Sequence, residues 1–250
     1  NLMNDQTEHW AKSAQLGALA SVIDPNDTKG LKNLYIAQLR DEVLIRTLPP
    51  GGFLLLDFGC GSGNISKRLT SANRKITGID ISPELLKLAI EQNDPSLCEF
   101  VLYDGGEIPL NVESFDFVVT YVVLNHIVDD DHLIETLRNI NKTLKEGGKA
   151  LFIEQTRKTT TLEYDGIKKQ RSVADFVGIF ENAGFTVEQV EHVRKARFLP
   201  IYLIRYGLLP KRLFTFLSKI DGFFAKIFSA PSFSYVDTLF ILTKNDVASR

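Results

Sequence analysis

From residue 53 to residue 154, short apolar runs alternate with helical patterns, and no other feature restricts the folds open to this chain so strongly. Runs of strand length lie at 53–58, 75–79, 98–102, 115–120 and 149–154, and two more follow at 186–193 and 236–243. Helical spacing occurs at 33–46, with Leu34, Ile36, Leu39, Val43 and Leu44 on one face, and again at 83–92 and 132–144. The last of these runs into KEGGK at 145–149, where glycine suits a left-handed helix end. Strands separated by helices need crossover connections, which predicts a parallel sheet covered on both faces. A ligand then belongs at the carboxyl ends of the strands. With 250 residues, 44% hydrophobic, the chain is long enough for one such domain over 1–250. We expect residues 1–50 to form an N-terminal helical cap and 194–235 a helical insertion between the sixth and seventh strands.

The first strand leads into LLLDFGCGSGNIS at 54–66, with glycine at 59, 61 and 63. Such a loop between a buried strand and a helix start usually cradles an anion. Here a carboxylate, Asp57, precedes the first glycine, and Asp80 and Asp104 follow the second and third strand runs. Each alone reads as a turn or cap residue; three at successive strand ends point to one site. A dinucleotide fingerprint would want G-x-G-x-x-G, yet Asn64 fills the slot of the third glycine, and the Gly-Lys-Ser/Thr of a P-loop is absent. Asp57 beside a pyrophosphate would cost Coulomb energy, whereas beside a cation it is favourable. A nucleoside with a positively charged tail fits, and S-adenosylmethionine (SAM) has that form.

The segments LLLDFGCGSGNIS, ITGIDISPELLKLA, VLYDGGEIPL, FDFVVTYVVLNHI and LKEGGKALFIE resemble, in order and spacing, the successive motifs of class I SAM-dependent methyltransferases. The resemblance implies an α/β, Rossmann-like fold with a seven-stranded, mostly parallel sheet of order 3-2-1-4-5-7-6, the seventh strand antiparallel. It implies that Asp57, Gly59, Cys60, Gly61 and Gly63 line the methionine part of SAM. Asp80 would take both ribose hydroxyls, Ile81 would pack on adenine, and Asp104 and Gly105 would meet the adenine edge. Thr120 and Tyr121 would lie near the transferring methyl, and S-adenosylhomocysteine would be the product. Glycine at 59 and 61 permits positive φ and close backbone approach; Cys60 reads as a small apolar filler.

A sulfonium methyl is already activated, so positioning the acceptor supplies much of the acceleration, and a hydroxyl acceptor gains from a base. His126 in LNHI is the candidate base, although the family often shows two histidines where this chain has Asn125-His126. Glu154 is the second candidate, and Trp10, Asn125 and Glu154 are expected to meet the acceptor. His9, His126, His132 and His192 show no clustered ligand pattern, so no metal is expected. A formal charge of -2, a pI near 6.1 and TYVV rather than an Asn-Pro-Pro-Tyr segment argue against nucleic acid. Two cysteines and no long apolar run suggest a cytoplasmic chain. We therefore expect a small-molecule methyltransferase acting on an oxygen, of a sugar or glycan precursor, or else of a quinone-like metabolite; a SAM-binding module without catalysis is the alternative from another class. Residues 194–228 hold eight Lys or Arg against one acid, Asp221, a local net charge of +7, together with Leu213, Phe216, Leu217, Ile220, Phe223, Phe224, Ile227 and Phe228 at helical spacing. That pattern suits a membrane surface or anionic lipid, or a lid whose apolar face packs on the domain.

Overall fold

Apolar runs three to six residues long with side chains alternating up and down can satisfy their backbone only by pairing with one another, and the sheet is the result. The computed structural model describes residues 2–17, 23–163, 166–227 and 234–245, with side chains from Glu8 onward. Two helices, α1 (Leu2–Ala14) and α2 (Leu31–Thr47), precede β1 (Phe53–Phe58), α3 (Asn64–Leu69), β2 (Arg74–Asp80), α4 (Pro83–Gln92), β3 (Cys98–Leu102) and β4 (Phe115–Tyr121). Next come α5 (Asp130–Thr143), β5 (Leu144–Thr156), a hairpin of β6 (Thr161–Leu162) and β7 (Lys169–Gln170), α6 (Val173–Asn182) and β8 (Phe185–Lys195). The chain ends with α7 (Leu199–Arg205), α8 (Phe214–Ile227) and β9 (Val236–Lys244). Seven strands form one sheet in the order β3-β2-β1-β4-β5-β9-β8, with β9 antiparallel to both neighbours and the other pairings parallel. Leaving aside the β6–β7 hairpin, this is the expected 3-2-1-4-5-7-6 order.

Successive residues feed opposite layers. Leu55, Val119, Leu151, Ile153 and Leu239 point into one core with Tyr35, Leu39 and Leu44 of α2 and Phe214 of α8. Their neighbours Leu56, Val118, Phe152 and Phe240 point into the other, with Leu133 and Leu137 of α5 and Phe176 and Phe180 of α6. Each such Leu or Phe contributes about 1.5–3 kcal/mol when fully buried, so a register slip of one residue would be costly along every central strand. α2 is therefore part of the scaffold, and α1 is the piece of the N-terminal segment that reaches α4 at the ligand edge.

One expectation needs correction, and two features were not foreseen. The KEGGK segment does not end a helix: α5 stops at Thr143, whose Oγ1 donates to Ile140 O at 2.7 Å, and Leu144 is already extended. Gly147 does take a positive φ, 68°, but inside β5, where the pairing with β4 slips between Phe115 and Phe117. The β6–β7 hairpin was not foreseen. Within the basic stretch 194–228, Arg194 is buried in a two-point pair with Asp237, Nε to Oδ2 at 2.7 Å and Nη2 to Oδ1 at 3.1 Å. Phe228 lies outside the described residues.

Candidate functional site

The glycine loop is built by three left-handed residues. Gly59, Gly61 and Gly63 have φ of 70°, 52° and 74°, and a Cβ on Gly59 would come within 2.5 Å of Val123 Cγ2. The loop's N–H groups are spent on the protein itself: Gly59 and Cys60 both donate to Ile79 O (2.8 and 3.0 Å), Gly61 donates to Asp80 Oδ2 (2.7 Å) and Gly63 to Cys60 O (2.9 Å). A phosphate cradle needs those donors pointed at the ligand, so the loop is wrong for a pyrophosphate. Its charge is wrong as well. Asp57 is buried behind the loop, where Ser66 Oγ donates to its Oδ2 at 2.7 Å and its Oδ1 has no hydrogen-bond partner. Burial pushes its pKa up to about 6, against the opposing pull of the Ser66 hydrogen bond and of Arg40. Burial likewise raises Asp80, against backbone N–H donors from Ser82 and Gly61. Two buried carboxylates beside a loop whose Gly59, Cys60, Gly61 and Gly63 N–H groups are all engaged make a site that gains from a cation.

In front of this loop lies a cavity of about 430 Å³, within the usual range for a small-molecule site. The ends of β1 to β3 contribute Phe58, Gly59, Gly61, Asp80, Ile81, Leu85, Tyr103 and Gly105. The opposite wall is Tyr121, Val122, Val123, His126, Ile127, Val128, Asp129, His132 and Thr136, and Trp10 of α1 closes it. Trp10 stands edge-on to His126, with ring centroids 5.1 Å apart. Asp80 reaches the cavity with both oxygens already accepting one backbone N–H, Oδ2 from Gly61 and Oδ1 from Ser82 (2.9 Å). A carboxylate oxygen has a second lone pair, so both still accept ribose hydroxyls from a fixed orientation. Asp80, Ile81, Tyr103 and Gly105 are thus the residues that could hold the adenosine half of SAM, and Asp57 and Asp80 the charges that could attract its sulfonium.

Not every residue expected at the site lines this cavity. Asp57, Cys60, Gly63 and Thr120 are buried behind its wall, Cys60 as an inert thiol whose pKa burial raises. Asp104 is exposed between two lining residues and accepts from Gly106 N–H at 3.0 Å. Asn125 is fully buried and donates through Nδ2 to Gln155 O at 3.1 Å. Glu154 is fully buried too: Oε1 accepts from Thr120 Oγ1 (3.2 Å) and from the N–H groups of Val123 and Leu124 (3.0 Å each), and Oε2 from Asn125 N–H (3.2 Å). Asn125 and Glu154 are therefore placed away from any acceptor in the cavity, since their polar atoms face the protein.

Glu154 instead fixes the loop that carries His126. Val122 has φ of 55°, a conformation that a β-branched residue adopts only when its surroundings enforce it. Glu154 grips the N–H groups of the three residues that follow. From the other side Arg171, with no exposed surface, donates to Leu124 O (3.3 Å), Ile127 O (2.8 Å) and Val128 O (3.4 Å) and pairs with Asp130. A carboxyl group thus takes the loop's donors and a guanidinium its acceptors. His126 sits deep enough that burial, with the charges of Lys168 and His9, pushes its pKa down to about 3, so the imidazole is neutral. Asp129, His132 and Thr136 escaped the sequence reading, although a run of Asp before a helical pattern does mark a start: Asp129 Oδ1 accepts from His132 N–H at 2.8 Å and caps α5. Among the described residues no group of three His, Cys, Asp or Glu is arranged to hold a metal.

Residues 56–152 match a family described as a methyltransferase domain. An uncharacterized methyltransferase of Anoxybacillus flavithermus is 27% identical over 159 residues, which cover 61% of this chain and 72% of that protein. A ubiquinone biosynthesis O-methyltransferase of Xanthomonas axonopodis pv. citri is 30% identical over 48% of this chain and 50% of its own length. The tRNA (carboxymethyluridine(34)-5-O)-methyltransferase of Schizosaccharomyces pombe is 29% identical over 50% of this chain and 53% of its own length. Among solved structures, the [4+2]-cyclase SpnF superposes with a TM-score of 0.69 at 20% identity, over 97% of this chain and 94% of that one. Phosphoethanolamine N-methyltransferase 2 of Haemonchus contortus, in complex with SAM, gives 0.61 at 19% identity, over 88% of this chain and 58% of that one. The cyclase shows that the fold alone does not fix the reaction. The motif order, the sheet and the domain match agree: residues 56–152 carry a methyltransferase domain, and the findings together support a SAM-dependent methyltransferase of the class I type.

Proposed function

We propose that this methyltransferase moves the methyl group of SAM to an oxygen of an uncharged small hydroxylated molecule, with a quinol-like aromatic as the acceptor class the geometry favours. The observation that carries this is the wall facing the glycine loop: Trp10, Tyr121, Val122, Ile127 and Val128 make it apolar, and among the described residues no Lys or Arg lines the cavity. Phosphate-rich acceptors such as RNA or a nucleotide-linked sugar meet no Lys or Arg among the described lining residues, and Lys168, whose charge reaches His126, is not one of them. A sugar hydroxyl is the second reading, supported by Asp129, His132 and Thr136 on the same wall. The ubiquinone-pathway relative agrees with the first reading and the tRNA-modifying relative with neither.

Bound SAM supplies the activated methyl. Asp80 orients the ribose, and Trp10 and Tyr121 exclude water. His126 takes the hydroxyl proton on an imidazole nitrogen. A base held near pKa 3 is weak, yet an oxygen that is forming its bond to methyl becomes far more acidic than the free hydroxyl. Proton transfer is therefore late. The test is S-adenosylhomocysteine release from SAM with separate panels of hydroquinones and catechols, neutral monosaccharides, nucleotide sugars and total RNA. Turnover with the hydroquinone panel is expected; turnover with RNA or nucleotide sugars alone would overturn the proposal.

A further inference from the structure

α8 has two apolar faces. Phe214, Leu217 and Ala225 turn toward the sheet and α2, as the core requires. On the opposite side Phe216, Phe223 and Ile227 follow one another at helical spacing and are 61%, 60% and 56% exposed. α7 repeats the arrangement: Ile201 and Ile204 are buried, while Leu199 and Tyr202, and Tyr206 just beyond the helix, stand in solvent. A groove of about 420 Å³ joins the two helices, walled by Leu199 and Phe224 and including Lys195 and Arg197. Every exposed Phe and Tyr among the described residues lies between 202 and 224, so the aromatic exposure is concentrated here, whereas exposed aliphatic side chains also occur singly elsewhere, and a contiguous patch of this kind marks a contact surface.

The charge around it selects the partner. Lys211, Arg212 and Lys219 are exposed, and among the described residues no carboxylate pairs with them. Lys219 stands one turn from both Phe216 and Phe223. The single acid of this stretch, Asp221, is fully buried, where it accepts from Lys195 N–H at 2.8 Å. Aromatic and aliphatic side chains bordered by unpaired cations match the headgroup boundary of an anionic bilayer. A second copy of the chain would bring the same cations against themselves. No described helix is long and apolar enough to cross a membrane, so the contact is interfacial. We propose that the α7–α8 face docks the protein on an anionic lipid surface, a property separate from the chemistry of its cavity.

The experiment is co-sedimentation of the full chain with vesicles of phosphatidylcholine alone and of phosphatidylcholine mixed with phosphatidylglycerol. Binding is expected to the mixed vesicles, weakening as salt rises. It should fall at least about tenfold in the charge variant Lys211→Glu/Arg212→Glu/Lys219→Glu, and likewise in the apolar variant Phe216→Ser/Phe223→Ser. All five positions are exposed, and retained SAM binding checks that each variant is folded; either variant alone decides the matter. Failure of the wild type to sediment would overturn the proposal, as would equal binding to both vesicle types. So would self-association abolished by Phe216→Ser/Phe223→Ser without vesicle binding, which would assign the face to a second copy.

Discussion

At the scale of single residues, Asp80 and His126 carry the sharpest expectations. Asp80→Asn keeps the shape but removes the charge that holds Gly61, Ser82 and the ribose, and hydrogen bonds to charged groups contribute about 1.5–3 kcal/mol. SAM affinity measured by calorimetry should fall by roughly one to two orders of magnitude; wild-type affinity in the variant would remove Asp80 from the ribose. Such a residue is legible in sequence because a carboxylate at a strand end beside a glycine loop has few other uses. Glu154 was misread for the converse reason: its partners, the N–H groups of 123 to 125, lie 29 to 31 residues away and carry no side-chain signature. For His126 the pH dependence is informative. Its pKa in the fold lies below the ordinary 6.5, at about 3. The unfolded chain therefore binds the extra proton across that window, and stability present above 6.5 is lost as pH falls through it. Glu154, raised by burial to about 7, works in the opposite sense at its upper end, so the readout is a difference. In urea unfolding followed from neutral to acid pH, His126→Gln should lose less stability on acidification than the wild type; parallel curves would mean that His126 is not held neutral in the fold.

At the scale of elements, the strands and most helices followed from periodicity, because burial on both faces of the sheet leaves continuous apolar runs that cannot be hidden otherwise. The loop between β4 and α5 did not. Its shape depends on a positive φ at Val122, for which a valine gives no local hint, and on Arg171, which stands after a hairpin too short to show a pattern. Together with Glu154 these residues hold the wall of the cavity in a backbone conformation that is unfavourable in isolation. Glu154→Ala would leave three backbone N–H groups and the Thr120 hydroxyl without their acceptor, at about 1–3 kcal/mol for each group that stays buried. A loss of about 3 kcal/mol or more is expected, or roughly 10 °C in Tm for a chain of this size. Glu154→Gln can keep the three bonds to its Oε1 while turning an amide toward the Asn125 N–H, so it should lose less. Scanning calorimetry on the pair checks the order, and a Gln variant less stable than the Ala variant would mean that Glu154 is not the loop's acceptor.

For the whole molecule, the question is how an insertion with an apolar outer face stays attached to the sheet. The count of eight Lys or Arg over 194–228 includes Arg194, yet Arg194 is buried, because a charge count carries no information on direction. In the structure Arg194 and Asp237 bridge β8 and β9 with two hydrogen bonds, and Asp221 of α8 accepts from Lys195 N–H and, at 3.3 Å, from the Tyr35 hydroxyl of α2. The fold thus places a buried ionic rivet where the insertion leaves and rejoins the sheet, close enough to Tyr121 for Asp237 and Arg194 to act on its phenol, whose pKa burial raises. Removing one member of a buried pair strands the other without compensation and costs about 3–5 kcal/mol, whereas replacing both with apolar groups is often neutral. Asp237→Asn should therefore destabilise the protein by about that amount in denaturant unfolding. The double variant Asp237→Asn/Arg194→Met should recover most of the loss, since no unpaired guanidinium then remains. If the single variant matches the wild type, or the double variant is less stable than the single, the pair is not the rivet and the insertion is held by its other contacts, the packing of Phe214 and Leu217 and the hydrogen bonds of Asp221 and Ser218 among them.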